Sequence, residues 1–172
     1  MLNNFVIEAG RTIAEDTDEP VTIGDAKAWL KVDLTDDDAL ITDLINTART
    51  QVEEYTGTAV VACEVVAVID NSAGDLELPY GPVSEITEVL NENGDEITDY
   101  TTTGSAFLKL KDPKLNYLKL TYKAGFTQIP PAIIIGLKQQ LTWVYENRGD
   151  DAKMGQLSPM AMQTLKPMRR IW

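Results

Sequence analysis

The sequence predicts an α+β protein in which a small bundle of helices is interrupted by an antiparallel β segment. Apolar residues recur at three- and four-residue steps before residue 58 and again after residue 130, as on the buried side of helices. Residues 60–123 instead carry short alternating or β-branched stretches separated by turn residues, as in antiparallel strands. The predicted helices span residues 22–31, 36–56, 131–148 and 159–166.

Two of these helices precede the β segment. Thr22 suits the N-cap of the first, with Asp25 as its capping-box partner, and Thr35 suits the N-cap of the second, with Asp38 three residues later. The second helix has the most regular apolar repeat of the chain, and Gly57 is its natural stop because glycine tolerates a left-handed backbone. The repeat, which predicts the buried side, consists of Leu40, Ile41, Leu44, Ile45, Ala48, Val52 and Tyr55.

The β segment is predicted to form a small sheet or partial barrel. Its strongest turn signal is Asn93-Gly94-Asp95, which is typical of a tight hairpin. Cys63 lies in an apolar stretch and is expected to be an inert, buried thiol. Strands are expected at residues 60–69, 76–79, 83–90, 97–100, 107–110 and 117–122.

The chain is predicted to return to helix at Pro131, because proline suits the first turn of a helix. Gly149 ends that helix, and residues 149–155 are expected to form a loop. Ser158 then caps a short last helix, which Pro167 ends. Residues 168–172 follow as an exposed tail.

The whole chain, residues 1–172, is expected to form a single domain. Its helical part comprises residues 21–58 and 129–167, and residues 59–126 are inserted between them as the β part. Residues 1–20 are a polar lead-in without an assigned role, in which Phe5-Val6-Ile7 adds a short strand or docks on a neighbour.

The composition argues against an enzyme and against a bound cofactor or metal ion. The chain has no histidine and one cysteine, which excludes Ser-His and Cys-His nucleophile pairs and an internal disulfide. Asp36-Asp37-Asp38 lacks the spacing of a calcium loop and suits the positive start of a helix. Glu53 and Glu54 are expected on a solvated face. Because no signal peptide or long apolar run is present, we expect a soluble intracellular protein without a membrane partner.

Charge is distributed unevenly along the chain, whose net charge is −12. Residues 1–108 contain 23 acidic and 4 basic side chains, whereas residues 109–172 contain 4 acidic and 11 basic ones. Either the two halves pair within one fold, or identical copies meet acidic face to basic face in a contact that can close into a ring. Tight binding to free DNA is disfavoured, because the net charge repels phosphates.

The C-terminal end is a candidate contact with another protein. It consists of Arg169, Arg170, Ile171 and Trp172, and it follows the helix-ending proline. Tryptophan and arginine are the residues that most often anchor protein interfaces. This tail either threads into a partner protein or folds back so that Trp172 lies on the core.

The order of several short motifs resembles the head-tail connector, or adaptor, proteins of long-tailed bacteriophages and gene transfer agents. The resemblance runs from about residue 20 to the C-terminus, and the longer acidic lead-in departs from the family. The matching motifs include Leu30-Lys31-Val32-Asp33, Thr56-Gly57-Thr58-Ala59, Leu78-Pro79-Tyr80-Gly81-Pro82-Val83, Tyr122-Lys123-Ala124-Gly125-Phe126 and Pro167-Met168-Arg169-Arg170.

This resemblance implies a non-enzymatic protein of the virion neck that is present in the host cytoplasm during assembly. Such proteins form a homo-oligomeric ring, usually dodecameric, which binds the portal protein above through the C-terminal tail and a stopper or tail-completion protein below. DNA would pass through the ring without specific binding. Glu85, Glu88 and Glu92 are then candidates for lining the channel or for contacting a neighbouring subunit. The alternatives are a tail-completion or other neck component, or a host-encoded protein-binding module.

Overall fold

The computed structural model describes residues 5–14, 17–70, 75–105, 107–111 and 117–170. The chain divides into two compact units, each built from separate stretches of sequence. We call the first the sheet unit, which comprises Met1–Thr17 and Val61–Thr127. The second is the helical unit, which comprises Asp18–Val60 and Gln128–Ile171. The α+β prediction is confirmed.

The helical unit contains five helices and a closing 3-10 turn within the described residues. They are α1 (Ile23–Leu30), α2 (Asp38–Thr56), α3 (Pro131–Glu146), α4 (Asp151–Met154), α5 (Pro159–Leu165) and the turn Lys166–Met168. The hydroxyl oxygen of Thr22 accepts the Asp25 N–H at 3.1 Å and donates to the Asp25 carboxylate, so the predicted capping pair is confirmed. Gly57 ends α2 with a left-handed φ of 66°. No helix of the described residues is long and apolar enough to span a bilayer.

The core of the helical unit lies between α2, α3 and α5. The apolar side chains of α2 face those of α3, as their spacing predicts, and Leu44 is 3% exposed. Helices α3 and α5 approach closely at Gly136, which faces the buried side chain of Leu165. The buried apolar residues of these helices are Ile41, Leu44, Ile45, Ala48, Val52, Ile133, Leu137, Leu141, Val144, Ala161 and Leu165.

In the part of the chain that the structure describes, the sheet unit contains two antiparallel sheets. The larger has the strand order β1-β2-β7-β4, so β1 and β4 are its edges, and the smaller has the order β3-β6-β5. The strands are β1 (Phe5–Ile13), β2 (Cys63–Asp70), β3 (Leu76–Glu77), β4 (Val83–Leu90), β5 (Thr101–Thr103), β6 (Lys109–Lys111) and β7 (Tyr117–Ala124).

One face of the larger sheet is buried because apolar residues alternate in matching register on the two central strands. Val65 of β2 lies opposite Tyr122 of β7, and Ile69 lies opposite Leu118. All four side chains are fully buried. The Tyr122 hydroxyl donates a hydrogen bond to the Pro79 carbonyl, and burial raises the pKa of Tyr122 well above its usual range. Cys63 is buried at the start of β2, as predicted.

The structure corrects four details of the predicted elements. Residues 5–13 form a full strand along β2 rather than a three-residue one. Asp38 begins α2, because its N–H is bonded to the Thr35 carbonyl in a preceding turn, and the predicted Thr35 cap is wrong. Residues 97–100, which were predicted to form a strand, do not; the strand β5 lies just after them, at residues 101–103. The predicted loop at 149–155 contains the single-turn helix α4, which the Asp150 side chain caps.

Candidate interaction surfaces

The three predicted glutamates lie close together in sequence on one exposed segment. Glu85 and Glu88 belong to β4, and Glu92 belongs to the turn that follows it. All three side chains are exposed. We call residues 83–99 the acidic strip, because no basic residue occurs between positions 61 and 108. Its acidic residues are Glu85, Glu88, Glu92, Asp95, Glu96 and Asp99.

Glu85 is partly neutralised within the sheet unit. Lys123 of β7 lies opposite both Glu64 and Glu85, and its ammonium is 2.8 Å from the Glu85 carboxylate. The hydrogen bond and the charge of Glu85 raise the pKa of Lys123. A second pair joins Lys109 to Glu77 at 3.1 Å. Some of the charge difference between the two halves of the sequence is therefore balanced inside the fold.

The other two glutamates keep their charge available. Glu88 and Glu92 make no ion pair within the described part of the chain. The pairing of β4 with β7 is irregular between Val83 and Glu85 and again between Ile86 and Glu88. Because bulges of this kind disfavour the addition of another strand, this edge suits contacts made by side chains.

The start of the predicted tail lies against α2. The guanidinium of Arg169 is 5.2 Å from the centroid of the Tyr55 ring, and the Arg170 N–H donates to the Thr56 carbonyl at 2.8 Å. Cations are favoured at this position because the C-terminal end of a helix carries partial negative charge. Burial lowers the pKa of Arg170. Ile171 and Trp172 lie outside the described residues.

A buried glutamine fixes the segment that leads to the tail. The Gln140 amide nitrogen donates to the Gln51 side chain at 2.6 Å and to the Gln156 carbonyl at 3.0 Å. Its oxygen accepts the Ser158 N–H at 2.7 Å, and the Ser158 hydroxyl in turn caps α5. Sequence reasoning missed this residue. The available signal was a polar side chain on the apolar side of α3, next to Leu141.

The outward side of α5 exposes two methionines, one on each flank of the exposed Gln163. Ala161 and Leu165 point into the core and are fully buried, whereas Met160 is 66% exposed and Met162 is 44% exposed. Lys166 follows one helical turn after Met162 and is also exposed. We call the outward side of α5, which carries Met160, Met162, Gln163 and Lys166, the methionine face.

The predicted solvated face of Glu53 and Glu54 is wrong for Glu53. Glu54 is exposed, but Glu53 is 1% exposed and its carboxylate is 2.9 Å from the Arg49 guanidinium. It also accepts the Val60 N–H at 2.7 Å, which fixes the chain as it leaves α2. Burial alone would lower the pKa of Arg49, but hydrogen bonds and charges from Glu19 and Glu53 outweigh it and raise that pKa.

The described residues contain no cluster of acidic or cysteine side chains that could hold a metal ion. Their ionisable groups instead form structural pairs, such as Arg49 with Glu53 and Lys27 with Asp38 at 2.6 Å. What the geometry offers is a set of surfaces, namely the acidic strip, the methionine face and the arginines at the end of α2.

Comparisons with known proteins agree with an assembly role. A family model described as phage gp6-like head-tail connector protein matches residues 20–164.

Solved structures of similar fold come from gene transfer agents. A chain from the neck of an empty gene transfer agent particle, computed with C6 symmetry, has a TM-score of 0.73 at 15% identity, and the match covers 96% of this chain and 97% of that one. A chain from the virion of a native gene transfer agent particle has a TM-score of 0.72 at 16% identity, with the same coverages. A chain from a native neck computed with C12 symmetry has a TM-score of 0.64 at 17% identity, covering 91% and 96%. No curated protein matches the chain.

Proposed function

Because the chain belongs to the phage gp6-like head-tail connector family, we propose that copies of it form a ring through which DNA leaves the head of a phage or a gene transfer agent. As a member of this family the chain is a structural connector of the virion neck. The main observation in favour of a ring is the similarity in fold, over 96% of this chain, to a chain from a particle neck computed with C6 symmetry. A second neck structure, with C12 symmetry, supports a ring of twelve copies. The family role is non-enzymatic.

The charge of the chain suits a conduit. A net charge of −12 opposes adhesion of the phosphate backbone, so DNA can pass without being held. In a gel-shift assay at physiological salt, we expect the assembled ring to leave duplex DNA unretarded. Retardation at submicromolar ring concentration would contradict a passive channel.

The partner above the ring is the portal protein, and the tail formed by Arg169, Arg170, Ile171 and Trp172 is the proposed anchor. The contacts of Arg169 with Tyr55 and of Arg170 with Thr56 hold the first two residues of this tail at the end of α2. A stopper or tail-completion protein is the proposed partner below. Assembly takes place in the host cytoplasm.

Deletion of residues 169–172 tests the portal contact. We expect the shortened chain to remain folded and to lose binding to portal-bearing heads in a co-sedimentation assay, because Trp and Arg anchors dominate interfaces of this kind. The double variant Arg169→Ala/Arg170→Ala separates the arginines from the last two residues. The matched control is Lys111→Ala, which removes an exposed cation from the sheet unit. Undiminished binding by the deletion variant would place the portal contact elsewhere.

A further inference from the structure

The methionine face has the properties of a protein-binding surface. Four of the five methionines of the chain lie within residues 154–168. Met160 and Met162 contribute little to the core, because Ala161 and Leu165 fill that side of α5. The flexible thioether side chain adapts to irregular partner surfaces. The helix that presents these methionines is held by the Ser158 cap and by the bonds of Gln140, so the face is fixed in place before binding.

The charge of this segment indicates what it binds. No acidic residue occurs after Asp151, and Lys166 adds an exposed cation beside Met162. A complementary surface is acidic and includes some accessible apolar area. The acidic strip of this same chain has both properties, because Glu88 and Glu92 are exposed and the neighbouring Leu90 is half-buried.

Resting on the ring proposed above, we infer that the methionine face of one copy binds the acidic strip of the next copy. The two surfaces are different parts of the molecule, so the contact is heterologous and repeats from copy to copy until the ring closes. The irregular edge of β4 disfavours strand addition, so the contact is made by side chains. Lys166 faces Glu88 or Glu92, and Met162, one helical turn before Lys166, covers Leu90. The acidic strip is thereby assigned to the subunit contact rather than to the channel.

Charge exchange tests this contact in the full-length chain. Lys166→Glu and Glu88→Lys each place like charges across the proposed interface, so each alone should raise the dissociation constant for self-association by about tenfold or more. In an equal mixture of the two variants, strictly alternating copies restore opposite charges at every contact. We therefore expect the mixture to assemble with a dissociation constant within about threefold of the wild-type value. Sedimentation velocity measures the distribution, and native mass spectrometry identifies the alternating composition.

The apolar half of the face is tested by the double variant Met160→Ser/Met162→Ser. We expect it to weaken self-association to a similar extent while its circular dichroism spectrum stays that of the wild type, because both side chains are exposed. The matched control is Leu34→Ser with Lys31→Glu, which removes an apolar residue that is 72% exposed and an exposed cation elsewhere in the helical unit.

Three results would overturn the inference. The first is a wild-type chain that stays monomeric at about 100 µM. The second is self-association of Lys166→Glu and Glu88→Lys as strong as that of the wild type. The third is an equal mixture of these two variants that does not regain self-association. If the variants assemble normally but no longer bind portal-bearing heads, the methionine face belongs to the portal contact. If Glu88→Lys assembles normally but alters DNA ejection, the acidic strip faces the channel. In either case the proposed connector function stands, whereas a chain that binds neither itself nor the portal would refute both proposals.

Discussion

Replacing Gly136 by alanine tests how tightly α5 is packed against α3. An ideal Cβ at position 136 would lie 2.6 Å from both Cγ and Cδ2 of Leu165. Carbon atoms in contact normally stay about 3.5–4.0 Å apart, so the Leu165 side chain would have to move. Leu165 is fully buried and has no solvent to move into. The substitution therefore forces α5 away from α3 or strains the side chain.

Two opposing effects set the size of the change. Alanine in the middle of a helix is more stable than glycine by about 0.5–1 kcal/mol. Overpacking a filled core costs about 1–3 kcal/mol. Packing is the larger effect, so we expect Gly136→Ala to reduce the free energy of unfolding by about 1–2 kcal/mol. For a chain of this size, that loss lowers the melting temperature by roughly 2–8 °C.

Urea denaturation followed by circular dichroism measures the effect. Gly24→Ala is the matched control, because the nearest atom to its new Cβ is the Thr22 hydroxyl oxygen at 3.8 Å. This control should be neutral or slightly stabilising. In a Leu165→Ala background the clash is absent, so Gly136→Ala should there become stabilising by about 0.5–1 kcal/mol. The reasoning is refuted if Gly136→Ala stabilises the wild-type chain as Gly24→Ala does, or if its cost is unchanged without Leu165.

Two further predictions concern the cores of the two units. Leu44→Ala should lower the free energy of unfolding by about 2–5 kcal/mol, because Leu44 is 3% exposed between helices; a loss below about 0.5 kcal/mol in urea denaturation would place it on the surface. Burial raises the pKa of Tyr122 in the folded state, so above about pH 10 only the unfolded chain loses the phenolic proton. The contribution of Tyr122 to the free energy of unfolding should therefore be constant below about pH 10 and decline above that pH. Tyr122→Phe should remove this part of the alkaline decline in unfolding titrations while costing about 1 kcal/mol at neutral pH through the lost bond to Pro79. An unchanged alkaline decline would contradict the assignment to Tyr122.

Elements specified by local patterns could be predicted from the sequence. The repeat along α2 ends at Gly57 because the left-handed backbone there suits glycine, and the alternation along β7 gives its buried face directly. The long strand β1 was underestimated because it is an edge strand whose side chains are mostly exposed, so no apolar alternation marks it. Its pairing with β2 joins residues far apart in sequence, which a local pattern does not report.

The same holds for the candidate surfaces: some of their features follow from the local sequence, and others depend on contacts between residues far apart in the chain. The sequence alone shows that residues 61–108 contain no basic side chain and that no acidic side chain occurs after Asp151. The burial of Glu53 could not be inferred from composition, because it depends on Arg49 one turn earlier, on Glu19 and on the N–H of Val60. The contact of Arg169 with Tyr55 arises because α5 packs against α3 and the residues after α5 then reach the end of α2, which only the tertiary structure shows.

The interleaving of the two units has a consequence for how the chain is made. Up to Arg170, the last residue that the structure describes, the polypeptide passes between the units three times, after Thr17, Val60 and Thr127. A ribosome therefore releases α1 and α2 directly after β1, yet their apolar sides obtain α3 as a partner only after strands β2 to β7 have been synthesised. During that interval Ile41 and Leu44 lack their final cover, and this is when a nascent chain is most open to chaperones or to aggregation. A truncated product that ends before Pro131 would carry all seven strands but only two of the helices that form the bundle.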